Sequence, residues 1–154
     1  MDSKQAAINV WASFMSRDRA KILDVLTDDV EWIAPKNNAT AVALGVTDHM
    51  VGKDAIANFI LSDLRKLFSN GLEVEPISIT AEGNRVVFEQ MQKADLSNGR
   101  RYENAYVFIF EMEGRKVRRI REYMDTWNGY KMVFGNKAPC LLYTSDAADD
   151  LFRV

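Results

Sequence analysis

The chain has one cysteine and one histidine among 154 residues. It can close no intramolecular disulfide, and those two side chains cannot supply a zinc cage. Long apolar runs are missing as well. The start, Met-Asp-Ser-Lys-Gln, lacks the apolar stretch of a signal peptide, and no segment is apolar for long enough to cross a bilayer. A surplus of one charge is also absent. Twenty basic against 22 acidic residues leave a net charge of −2, so no global field draws the chain to nucleic acid or anionic membrane. With 3 prolines and 8 glycines beside 47% hydrophobic and 27% charged residues, the composition is neither disordered nor collagen-like. The expectation is one cytoplasmic, reduced domain without metal or cofactor, with neither nucleic acid nor membrane as partner.

What is present divides the chain in two. Ala7, Val10, Trp11 and Phe14 fall at the spacing of one buried helical face. Ile22, Leu23, Val25 and Leu26 start a second, shorter helix, which Asp28-Asp29 ends; adjacent carboxylates alone are a weak metal signal. Val30 to Ala34 reads as a short strand stopped by Pro35, and residues 36–51, without a period, as a long irregular loop. Ile56, Phe59, Ile60, Leu64, Leu67 and Phe68 define a third helix that closes at Asn70-Gly71. From there Gly71, Gly83, Gly99 and Gly114 punctuate four segments of about a dozen residues each, rich in Val, Ile, Phe and Tyr. The layout is α+β: three helices from the first half cover a curved antiparallel sheet, a cone-shaped α+β barrel enclosing a pocket.

Residues 1–135 make up this domain and 136–154 a tail outside the pattern. Cys140-Leu-Leu-Tyr-Thr-Ser-Asp-Ala-Ala-Asp-Asp resembles the translation of a sequencing-library adapter, as a metagenomic read would carry. The expectation is that the tail is non-native, that Cys140 has no function, and that deleting residues 140–154 leaves stability unchanged.

Three stretches resemble the nuclear transport factor 2-like superfamily, within it the SnoaL-like and ketosteroid-isomerase-like proteins. They are Leu26 to Trp32, Gly52-Lys53-Asp54-Ala55-Ile56, and Asn98 to Phe108 continued through Arg121 to Thr126. The resemblance spans roughly residues 5–130 and implies the cone-shaped fold, a hydrophobic small-molecule ligand and a homodimer. It does not imply one activity, because one fold hosts many. The positions that carry catalytic groups in ketosteroid isomerases hold Trp11, Ala34 and Tyr106 here, so the base is absent. Those of limonene-epoxide-hydrolase-like proteins hold Glu122, Gln90, Gln92, Trp32 and Ala34, leaving one carboxylate. A single pocket carboxylate is the pattern of SnoaL-like cyclases.

Strand alternation extends that assignment. With Glu122 inward, so are Arg118, Ile120 and Met124; matching parity on neighbouring strands adds Phe88, Gln90, Gln92, Asn104, Tyr106, Phe108 and Phe110. Together with Trp32 these form an apolar ligand site with a few polar groups. Glu122 is the candidate general acid or base, its pKa raised by desolvation, and Tyr106 the second candidate. A polar plug hydrogen-bonded to Gln90 or Tyr106 is the alternative role for Glu122. His49, beside Asp48 in the loop, is the weakest catalytic candidate, since a lone loop histidine is more often solvated. The basic run Arg115 to Arg121, five cations in seven residues, faces Glu89, Glu103 and Glu111 by parity. That predicts cross-strand ion pairs on the outer sheet face. Val107, Ile109 and Tyr123 on the same face suit the homodimer. Two functions remain open: an isomerase, cyclase or hydrolase acting on a hydrophobic metabolite, and a non-catalytic ligand-binding or protein-docking module.

Overall fold

A computed structural model describes residues 2–135. The tail, with Cys140 and the adapter-like segment, lies outside the described residues. Helix α1 (Ser3–Met15) begins where the Asp2 carboxylate accepts from the Gln5 amide at 2.7 Å and buries Ala6, Ala7, Val10 and Phe14. Helix α2 (Arg19–Asp24) is capped by Asp18 in the same way. Strand β1 (Leu26–Ile33) starts earlier than its apolar residues indicate. Asp28-Asp29 therefore ends no helix. The pair lies inside β1, where the register shifts between Leu26 and Glu31, and the Asp28 carboxylate meets Lys53 Nζ at 2.5 Å.

Residues 36–51 are not irregular. They hold helix α3 (Ala39–Leu44) and strand β2 (His49–Val51), which pairs antiparallel with β1. A helix under two turns shows no period, so its ends were the only signal. Asn38 accepts from the Ala41 amide at 3.1 Å, and Gly45 turns out of the helix at φ 64°, a conformation glycine adopts freely. The third expected helix is α4 (Lys53–Asn58), a π-helical turn (Phe59–Asp63) and α5 (Leu64–Leu67) in succession. It stops at Leu67, and the next residue, Phe68, makes an isolated β-bridge to Leu96.

Strands β3 (Glu73–Glu82), β4 (Arg85–Asp95), β5 (Arg101–Glu113) and β6 (Lys116–Met124) form the antiparallel meander the glycine spacing predicts. The sheet has six strands, ordered β2-β1-β6-β5-β4-β3. It is mixed, since β1 lies parallel to β6, and open, since β2 and β3 remain unpaired edges. A further helix, α6 (Thr126–Phe134), follows β6 and was not expected from the sequence. Asp125 caps it at Asn128, and buried Asn104 ties it to β5: Asn104 Nδ2 donates to the Asp125 carbonyl at 2.9 Å and its Oδ1 accepts from Asn128 at 3.2 Å.

Alternation on β4 and β5 is regular. Val86, Phe88, Gln90, Gln92 and Ala94 face inward, as do Tyr102, Asn104, Tyr106, Phe108, Phe110 and Met112. On β6 it breaks. Glu111 pairs with Arg119 but Met112 with Val117, so Arg118 is the extra residue of a bulge and points out to solvent, not into the cavity. Outside, Arg119 meets Glu111 at 3.2 Å and Glu31 at 3.1 Å, and Arg121 meets Glu111 at 3.7 Å.

Candidate functional site

A cavity of about 160 Å³ lies between the inner sheet face, α1 and the α4–α5 segment. Its aromatic wall is continuous. Trp11 meets Phe108 edge-on at 5.0 Å between ring centres, Phe14 stacks on Trp32 at 6.0 Å, and Phe59 closes on Trp32 at 5.7 Å. Such contacts hold large rings in one arrangement, giving the cavity a defined shape. The π turn serves the same end, because Phe59 and Ile60 within it both border the cavity.

Three polar groups interrupt the apolar wall on the sheet side: Glu122, Gln92 and Tyr106. The Trp32 indole Nε1 donates to Glu122 Oε2 at 2.6 Å. The other carboxylate oxygen has no partner among the described residues. Glu122 is half-buried, facing the cavity and otherwise enclosed by the sheet and the aromatic wall, and desolvation dominates its chemistry. Desolvation pushes its pKa up to about 7, against the opposing pull of the Trp32 hydrogen bond. The Gln92 side-chain amide makes no hydrogen bond to another described residue, so it is free to meet a ligand. The Tyr106 hydroxyl shares a short hydrogen bond with Tyr102. Burial, helped by the Tyr102 and Glu122 charges, raises the Tyr106 pKa well above the ordinary phenol value. Tyr106 is therefore a neutral phenol at any physiological pH.

Of the residues expected at the site, Trp32, Gln92, Tyr106, Phe108 and Glu122 border the cavity. The others lie elsewhere. Phe88 is behind Trp11, packed on Phe110 at 4.9 Å. Gln90 is buried too; its Oε1 accepts from Trp11 Nε1 at 2.8 Å while its Nε2 has no partner. Ile120 is core, Met124 packs against the core, and Asn104 is spent on α6. His49 does not reach the cavity mouth. It stands on the far face of β1–β2 with its Nε2 2.7 Å from the Glu31 carboxylate. His49 first and Arg119 second hold Glu31 below the usual carboxylate range.

The sequence reading missed the part of the site that lies off the sheet, on helices and the turns beside them. Met15, Arg17, Phe59, Ile60, Leu64, Arg65 and Leu72 all border the cavity. Strand parity cannot find residues on helices or turns, and helical periodicity marks only the apolar ones, and those only as core. Among the described residues no three His, Cys, Asp or Glu side chains lie close enough together to hold a metal ion. No helix among them is long and apolar enough to cross a membrane.

Comparison with known proteins agrees with this architecture. A search of the curated proteins finds no sequence match. Among solved structures, an NTF2-like protein of unknown function from Burkholderia pseudomallei superposes with a TM-score of 0.74 at 20% identity, over 86% of this chain and 98% of that one. TerC, co-crystallised with polyporic acid, gives 0.72 at 22% identity over 86% and 98% of the two chains. A Bacillus subtilis protein provisionally named an isomerase gives 0.68 at 18% identity over 88% and 98%. At such identities the likeness is one of fold. The model of the SnoaL-like domain matches residues 6–120, ending two residues short of Glu122. With that match over most of its length, and NTF2-like proteins as its structural neighbours, the chain belongs to the SnoaL-like domain family of the NTF2-like superfamily.

Proposed function

We propose that the chain binds a small, largely apolar molecule in this cavity and that Glu122 acts on it as general acid or base. The reaction would be an isomerisation, cyclisation or hydrolysis without a cofactor. One observation carries the reading: a carboxyl borders an aromatic cavity with one oxygen held by Trp32 and the other without a partner among the described residues, where burial pushes its pKa up to about 7. An acid–base group is most effective when its pKa lies near the working pH, because both protonation states are then accessible. Trp32 keeps the carboxyl from drifting further upward, since its N–H stabilises the ionised form. The Gln92 amide and the Tyr106 phenol would orient polar atoms of the ligand. The small molecule crystallised with TerC and the name of the Bacillus protein support this reading.

A non-catalytic binding module is the second reading. It is favoured by the hydroxyls of Tyr102 and Tyr106, which are occupied by each other. Mass spectrometry of what co-purifies with the protein identifies the ligand, and Glu122→Gln then separates the two. Catalysis predicts a loss of about 100-fold or more in turnover with affinity kept within about threefold. A wild type that binds the ligand but never converts it, with only affinity altered in the variant, would leave the binding module standing.

In the same proposal the outer sheet face, with Val107 opposite Tyr123 and Ile109 opposite Arg121, joins two copies in a homodimer.

A further inference from the structure

The cavity's mouth differs from its walls. Arg17 and Arg65 border it, and both are exposed. Neither guanidinium has an ion pair or hydrogen bond among the described residues. Some surface cations, Arg19, Lys53, Lys66 and Arg101 among them, each hold a carboxylate; Arg17 and Arg65 are unpaired cations that also border the cavity. Apart from Glu122, no carboxylate among the described residues borders the cavity. The position of Arg17 is built in by the backbone. It sits in the α1–α2 turn at φ 58°, and its guanidinium lies over Gly71, where an added Cβ would come within 2.5 Å of Nη2. Burial and the Trp32 hydrogen bond set the state of Glu122, with no share from either arginine.

We propose that Arg17 and Arg65 form an anion-binding subsite, and that the cavity takes an apolar acid. The anionic group would sit at the two guanidinium groups and the apolar body against Trp11, Phe14 and Trp32. The inference rests on the reading of this cavity as a ligand site. Guanidinium forks bind carboxylates through paired, charge-assisted hydrogen bonds, and a cleft with apolar walls focuses their field.

Naphthoate and its neutral isostere naphthamide test this, read by quenching of tryptophan fluorescence, since Trp11 and Trp32 line the cavity. Naphthoate should bind about tenfold more tightly than naphthamide, with a preference that shrinks as salt is added. In the Arg17→Gln/Arg65→Gln variant the ratio should fall to near one with naphthamide affinity unchanged, which also reports an intact cavity. Each single substitution should remove part of the preference. Equal binding of the two probes by the wild type, or a preference that survives the double substitution, would overturn the anion subsite and leave the cavity reading intact. If neither probe binds, the cavity reading falls and the subsite with it.

Discussion

Burial acts on Glu122 in one direction, and the sign has consequences for stability. The folded protein holds the proton up to a pKa of about 7, whereas the unfolded chain releases it near 4.5. Between those values the folded state binds more protons, so stability falls as pH rises, by up to about 3 kcal/mol, and levels off above the folded pKa. Asp28, Glu31 and Asp95 are shifted the other way, and their contributions change only at more acidic pH. Glu122→Gln should therefore gain on the wild type between about pH 5 and about pH 8 in urea unfolding. Parallel stability curves would show that Glu122 titrates like a solvated side chain. Trp32→Phe removes the one hydrogen bond that favours the carboxylate, so carboxyl-resolved NMR should find the Glu122 titration moved further upward. With Glu122 set inward by the family resemblance, strand parity anticipates the inward side of Gln92, Tyr106 and Phe108. It failed for Arg118, because one bulged residue exchanges inside for outside and leaves no mark in composition.

At the scale of elements, the least legible pieces are the short ones. Helix α3 has 6 residues and depends on its ends more than on any apolar face. Asn38 is buried, caps the Ala41 amide and donates to the Pro35 carbonyl at 3.0 Å. Asn38→Ala should cost about 1–2 kcal/mol in chemical unfolding, the amount a lost N-cap removes. A loss within error would mean that packing against α6 holds α3 unaided. Helix α6 escaped notice for a related reason. Its apolar residues, Trp127, Tyr130, Met132, Val133 and Phe134, are crowded into 9 residues around Gly129, too short a segment for its period to stand out beside the adjoining tail. The π turn is invisible for another reason: one added residue per turn alters hydrogen bonding without altering residue type.

For the whole molecule, the outer face of β4–β6 combines ion pairs with half-buried Val107 and Ile109 and exposed Tyr123. Light scattering should give about twice the chain mass of 17.5 kDa at micromolar concentration. A mass of one chain would refute the dimer.

Local pattern determined the α+β layout, the order of α1, α2 and the long third helix, and the four-strand meander, because periodicity and turn glycines are written in neighbouring residues. It also determined which face of β4 and β5 is buried. Only the tertiary structure decided that β1 runs parallel to β6, that the sheet stays open, and that Arg17 and Arg65 meet at one cavity with Glu122. These are contacts between residues far apart in the chain. No local preference encodes them; they arise when the apolar faces of helices and sheet are buried against each other.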